Sequence, residues 1–295
     1  MNTFRGLEEI VETEYPLAKS TWYGLGGPAD YFIRPKTIEQ LQEVVRRCNE
    51  NHIPIYLMGL GSNLVIGDDG LRAAVIKLEH DQFAQMQFDS NAPELTAWAG
   101  AELSRIVLTC VEKGLAGLEA LTGIPGSVGG AVKMNAGGNF GDFGAVVESV
   151  MLMDSQANIF ETSKPELVFD YRRTNITAQF ILSARLKLSS GDPEQIMRTV
   201  KEIWIYKKNS QPLNTKNAGC IFKNPRGVSA GALIDRAGLK GLQIGAAAVS
   251  DKHANFIIAK KGCKSRDVIR LIDAIRQRVK EQFNTELELE IEIWN

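Results

Sequence analysis

Apolar residues recur along the chain with two periods. From Thr37 onward, Leu41, Val44, Val45 and Cys48 repeat every three to four residues and predict a helix with one buried face. Thr37 and Gln40 form a Thr-x-x-Gln capping signature at its start, and Pro54 closes the pattern. Runs of β-prone residues predict strands at 30–34, 55–58, 73–78 and 95–99, with a helix from about Leu103 to Lys113. A glycine-dense stretch then runs from Gly123 to Gly141, followed by predicted strands at 146–153, 168–171 and 180–188. Beyond Ser189-Ser190-Gly191-Asp192 the pattern predicts helices over 193–207, 230–237 and 266–283. Strict alternation over 287–293 predicts a last strand, with Leu287, Leu289, Ile291 and Ile293 on one face and Glu288, Glu290 and Glu292 on the other. The mixture is an α+β pattern. The composition change near Gly191 predicts a larger ligand domain over 22–190, preceded by an extension (1–21), and a smaller C-terminal domain over 191–295.

A chain of 295 residues, 44% hydrophobic, has enough apolar material for two domains. With 34 Lys+Arg against 35 Asp+Glu, it carries no global basic field for nucleic acid. No apolar run is long enough to span a membrane, and the acidic stretch from Met1 to Tyr15 does not read as a signal peptide. A cytoplasmic protein is expected. Cys48, Cys110, Cys220 and Cys263 form no CxxC pair, and with three histidines no metal site is expected. Cys48 and Cys110 fall in helical apolar patterns and read as core residues.

Two glycine-rich segments carry the first chemical signal. Gly59-Leu60-Gly61-Ser62-Asn63-Leu64 follows a predicted strand, but Leu64 occupies the third glycine position of a dinucleotide fingerprint. Gly67-Asp68-Asp69-Gly70 also removes the helix that such a fingerprint needs. A tight loop with exposed backbone N–H groups remains, suited either to a phosphate or to a simple turn. The second segment, Gly123-Ile124-Pro125-Gly126-Ser127-Val128-Gly129-Gly130-Ala131, is too glycine-dense for most turns. It suggests backbone approaching a flat or charged ligand. Together the segments point to a ligand with a pyrophosphate and a large planar group, which FAD fits better than a mononucleotide.

Three further stretches could carry chemistry. Tyr171-Arg172-Arg173 ends a β-prone run with two guanidinium groups, suited to a carboxylate or phosphate, or simply solvated. Gly219-Cys220-Ile221-Phe222-Lys223-Asn224 places a thiol, an amine and an amide within five residues. Cys220 is either a small packed residue or a proton donor, since an ordinary thiol remains protonated at neutral pH. Glu290 lies on the acidic face of the last strand, which is either a wet surface or a carboxylate turned into a cleft. His253 reads as a loop hydrogen-bonding residue.

The ordered set of these motifs resembles the UDP-N-acetylenolpyruvoylglucosamine reductase (MurB) family. The resemblance runs from Thr21 to about Ile293. It takes in Gly26-Gly27-Pro28-Ala29-Asp30, Gly61-Ser62-Asn63, the 123–131 segment with Met134-Asn135-Ala136-Gly137, Tyr171-Arg172, Phe222-Lys223-Asn224-Pro225, Ser229-Ala230-Gly231, Ala237-Gly238-Leu239-Lys240-Gly241 and Lys252-His253-Ala254-Asn255-Phe256. It implies a two-part FAD-binding fold of the vanillyl-alcohol-oxidase (PCMH) type with a C-terminal substrate domain. It also implies FAD as bound cofactor, NADPH as co-substrate and a UDP-sugar enol ether as substrate. By the same resemblance, Gly59, Gly61, Ser62, Asn63 and Gly123, Ile124, Pro125, Gly126, Ser127, Gly129, Gly130 and Ala131 hold the flavin. Arg172 holds the substrate carboxylate, Glu290 assists it, and Tyr171, Lys223 and Asn224 line the substrate. Cys220 stands where the family usually has a serine proton donor. Ser210 stands at a usual lysine position and Leu289 at a usual proline, and the chain looks like the family's shorter form. Another FAD oxidase on the same fold, or a flavin-binding protein without reductase activity, remains an open reading of the residues.

Overall fold

The computed structural model describes residues 3–295. Six α-helices occur among them: α1 (Ile38–Glu50), α2 (Leu103–Glu112), α3 (Val128–Met134), α4 (Pro193–Ser210), α5 (Ala230–Arg236) and α6 (Ser265–Phe283). Five of these were legible from periodicity. The exception is α3, hidden inside the glycine stretch because Gly129 and Gly130 are poor helix formers. At α1 the expected cap is present: Gln40 N–H donates to the Thr37 hydroxyl at 3.3 Å, and the Gln40 side chain accepts from the Lys36 N–H at 2.8 Å.

Two compact units make up the chain, and neither is contiguous. The first contains the segment ending at Thr13, then Tyr31–Leu60 and Arg72–Tyr206; the second contains Glu14–Asp30, Gly61–Leu71 and Lys207–Asn295. The composition change near Gly191 falls inside the first unit, because Ile196 and Val200 of α4 are buried in that unit's core. Phe4, Leu7 and Ile10, before the expected start of the ligand domain, are likewise buried in a core of the first unit.

The first unit is built on an antiparallel five-stranded sheet with spatial order Ile159–Ser163, Val147–Met153, Phe180–Lys187, Glu94–Trp98, Met86–Phe88. Its strand Phe180–Lys187 is buried without a break from Phe180 to Ala184 because both faces are covered there. Phe180 and Leu182 join Val44, Val45 and Cys48 of α1, whereas Ile181, Ala184 and Leu186 join Ile106 and Val107 of α2 and Val128 and Val132 of α3. Leu182 is an extra residue relative to the partner strand, where Met151 faces Ser183 and Leu152 faces Ile181. Such a bulge reverses which face successive side chains take. A separate parallel pair, Ile55–Met58 on Ala74–Lys77, leads into the first glycine loop.

The second unit has its own core, in which α5 and α6 pack with Ala247 and Val249, Ile257 and Ala259, and Leu287 and Ile291. The expected strand over 287–293 is a correction. Leu289 makes a single antiparallel bridge with Phe222, the chain bends at Glu290-Ile291, and Glu292–Trp294 then pairs in parallel with Leu64–Ile66. The alternating pattern is real, but its two halves have different partners, and the bend is where the chain changes from one to the other.

Candidate active site

The two glycine segments meet at one hydroxyl. A Cβ on Gly59 would lie 2.9 Å from the Ser127 Oγ, and one on Gly130 would lie 3.8 Å from the same oxygen. Ser127 is buried at the start of α3, whereas Gly130 is exposed. A hydroxyl flanked by two residues without side chains leaves backbone and oxygen open to a phosphate-sized group, so the residues present fit a dinucleotide pyrophosphate. At several of the other glycines a side chain would meet atoms of the chain. Gly61, at φ +66°, would place a Cβ 2.1 Å from the Ser20 carbonyl oxygen. Gly129 faces Ala99 at 3.1 Å and Gly126 faces Leu103 at 3.3 Å. Gly123, at φ +71°, makes the turn that precedes Ile124 and Pro125. Ala131 points into the core. In the first loop Ser62 is half-buried. Asn63 Nδ2 donates to the Glu290 carbonyl at 3.0 Å.

Behind α3 the chain reaches Arg172 through a residue to which the motifs assign no role. Asn135 caps the helix in the left-handed region at φ +42° and is 3% exposed. Its Nδ2 donates to the Asp170 carbonyl at 3.0 Å, and its Oδ1 accepts from the Gly144 N–H at 2.9 Å. Asp170 belongs to a two-residue hairpin, with Phe169 opposite Thr174 and Asp170 opposite Arg173. This hairpin replaces the expected strand over 168–171. Arg172 sits at its tip at φ +55°, a left-handed conformation that costs a non-glycine residue about 1–2 kcal/mol. Its guanidinium donates to the Gly137 carbonyl at 2.8 Å and stands 5.1 Å from the centre of the exposed Tyr171 ring. The two arginines of the motif thus diverge, since Arg173 pairs with Asp170.

In the second unit Cys220 and Glu290 come to neighbouring backbone. Glu290 N–H donates to the Ile221 carbonyl at 2.8 Å, and Lys223 N–H donates to the Glu288 carbonyl at 2.8 Å. Cys220 is half-buried, and the open position beside Gly219 (φ +76°) meets no atom within 4 Å. Lys223 is ion-paired with Glu288 at 2.5 Å, and Asn224 Oδ1 accepts from the first N–H of α5 at 3.0 Å. Both residues therefore have partners within the unit. Among the described residues no cluster of three or more His, Cys, Asp or Glu could hold a metal ion. No helix there is long and apolar enough to cross a membrane.

His253 does act within its loop: its Nδ1 accepts from the Asn255 N–H at 3.3 Å, which requires the neutral ring. Burial holds its pKa below the ordinary 6.5, and the Lys240 ammonium adds to this against an opposing backbone hydrogen bond. The unfolded chain then takes up a proton near pH 6.5 that the folded chain refuses. The stabilisation is complete above that pH and is lost as pH falls below it. The acid side of a Tm-against-pH curve is expected to flatten in His253→Asn, whose Oδ1 can still accept from Asn255. A slope unchanged from the parent would remove His253 from that titration.

Comparison with known proteins shows the family. The family model for the C-terminal domain of UDP-N-acetylenolpyruvoylglucosamine reductase matches residues 211–294, and that for an FAD binding domain matches residues 29–163. The reductase of Syntrophus aciditrophicus is 40% identical over 94% of this chain and 90% of its own length. That of Clostridioides difficile is 38% identical over 97% and 94%. The chain belongs to the UDP-N-acetylenolpyruvoylglucosamine reductase family. It is therefore an oxidoreductase with an FAD-binding domain. The crystal structure of the Thermus caldophilus reductase (MurB) matches with a TM-score of 0.82 at 37% identity, over 97% of this chain and 98% of that one. Phl p 4.0202, a glucose dehydrogenase, matches with a TM-score of 0.50 at 16% identity over 64% of this chain and 44% of its own. That second likeness concerns the fold alone, the PCMH-type FAD fold expected from the motifs.

Proposed function

We propose that this reductase converts the enolpyruvyl ether of UDP-N-acetylglucosamine to UDP-N-acetylmuramate, with NADPH as reductant, in cytoplasmic peptidoglycan precursor synthesis. The observation that carries the reading is the backbone pairing of Ile221 and Lys223 with Glu290 and Glu288, which puts a thiol and a carboxylate on adjoining segments. FAD, when bound, supplies a two-electron relay from NADPH to the terminal carbon of the enol ether. Gly59, Gly61, Ser62 and Asn63 hold it together with the backbone of 123–131 and the Ser127 hydroxyl. Arg172 binds the substrate carboxylate, where charge develops as hydride arrives at the far carbon, and a preorganised guanidinium is most effective at such a place. Glu290 stabilises the enol-type charge. Cys220 Sγ–H gives its proton to the carbon bearing the carboxylate, and solvent reprotonates the thiolate. Tyr171, Lys223 and Asn224 line the sugar nucleotide.

Anaerobic stopped-flow at the flavin absorbance band tests the cycle. NADPH should bleach the band, and the enolpyruvyl-sugar nucleotide should then restore it rapidly. Bleaching without substrate-driven recovery in an intact flavoprotein would leave the family assignment standing and remove this reaction.

A further inference from the structure

We propose that Asn255 is a positioning residue for Cys220, its buried carboxamide clamping the backbone that carries the thiol. The catalytic consequence rests on the reading of Cys220 as proton donor; the positioning itself does not.

Asn255 is 3% exposed. Its Oδ1 accepts from the Phe222 N–H at 3.0 Å, and its Nδ2 donates to the Phe222 carbonyl at 2.7 Å. Its own carbonyl accepts from the Ile221 N–H at 2.8 Å. The remaining polar group, the Ile221 carbonyl, accepts from Glu290. One asparagine thus satisfies three of the four backbone groups of the two residues that follow Cys220, standing in for a neighbouring strand. Only a carboxamide of this length offers one donor and one acceptor to the same residue, since an aspartate cannot donate to the Phe222 carbonyl.

The other side of Cys220 is held in the same manner by a second buried amide. Gly219 N–H donates to Asn217 Oδ1 at 2.9 Å, and Asn217 Nδ2 donates to the Thr215 carbonyl at 2.9 Å. Asn255 is in turn set by its own turn, in which the Lys252 and His253 N–H groups donate to the Ser250 hydroxyl and the Asn255 N–H donates to His253. The half-exposed thiol therefore stands on a backbone pinned at the residues before and after it. A backbone fixed on both sides places an acid to the tolerance that proton transfer demands, where a shift of about 1 Å can cost about 100-fold in rate.

The test uses the FAD-loaded chain and reads the thiol itself. Cys48 and Cys110 are pushed up to about 12 by burial and Cys263 to about 11, so iodoacetamide alkylation between pH 6 and 9 (roughly the range below and above an ordinary thiol pKa) follows Cys220. In Asn255→Ala and Asn255→Asp, the alkylation pH profile should move. Substrate-driven flavin reoxidation should fall about 10- to 100-fold, while bleaching by NADPH stays near the parent rate. Should neither Asn255 variant fold, Asn217→Ser should shift the same profile from the other side. A variant that melts earlier yet keeps the parent alkylation profile and the parent ratio of half-reactions would make the amide purely structural and overturn the proposal. A parent chain that lacks substrate-driven reoxidation, with variants that still shift the alkylation profile, would remove the donor role of Cys220 and sustain the positioning.

Discussion

Replacing Cys220 by alanine is expected to slow substrate-driven reoxidation of the reduced flavin by about 10²- to 10⁴-fold, the usual worth of a positioned general acid. The substitution removes the only proposed proton source. Cys220 is half-buried, outside the three apolar cores, and its segment is held by backbone bonds that alanine keeps. Flavin content and the rate of bleaching by NADPH should therefore stay close to the parent values. Cys220→Ser is the informative partner, since serine is the residue that the family resemblance leads one to expect at this position. Serine should recover most of the rate, and the two chains should then differ in pH dependence. A thiol that ionises as pH rises through its pKa loses the proton it must give, whereas a hydroxyl does not. The cysteine chain should lose reoxidation rate on the alkaline side and the serine chain should hold it. Equal rates for Cys220→Ala and the parent would show that the proton comes from elsewhere.

Much of this arrangement was legible before any coordinates. Helices with a single apolar face announced themselves, and the glycine segments and the Arg, Cys and Glu motifs marked where chemistry could lie. What escaped the reading has physical reasons. The helix α3 is disguised by Gly129, whose lack of a side chain admits Ala99 at close range, and by Gly130 beside the Ser127 hydroxyl. The last strand alternates in sequence but pairs with Phe222 at one end and with Leu64–Ile66 at the other, a change of partner that periodicity cannot express. The roles of Asn135, Asn217 and Asn255 went unread because each works by capping backbone from a buried position. The available signal was an amide two residues before a glycine, in Asn135-Ala136-Gly137 and Asn217-Ala218-Gly219. The glycines are equally instructive: both segments looked like ligand cradles throughout, yet a Cβ on Gly59 or Gly130 would meet the Ser127 hydroxyl, whereas one on Gly61, Gly126 or Gly129 would meet other atoms of the chain.

Arg172 offers the sharpest separation of stability from function. Arg172→Gly is expected to leave Tm within about 4 °C of the parent, because the effects at the hairpin tip oppose one another. Glycine relieves a left-handed conformation that costs about 1–2 kcal/mol. It adds about 0.5–1 kcal/mol of unfolded-chain entropy and forfeits the charged guanidinium's hydrogen bond to the Gly137 carbonyl, worth about 1.5 kcal/mol. The substrate half-reaction should nevertheless fall about 10²- to 10³-fold, the range seen when a preorganised donor is removed from a developing charge. Affinity for the enolpyruvyl-sugar nucleotide should weaken with it, because the carboxylate is present in the ground state as well. Arg172→Lys should recover charge but not the planar two-point grip of a guanidinium, and so recover the rate only in part. Backbone strain that yields no stability when relieved, at a side chain whose loss slows one half-reaction, is the pattern of a conformation retained for the ligand it meets. A glycine variant that kept the parent reoxidation rate would return Arg172 to the surface and leave the carboxylate to another cation.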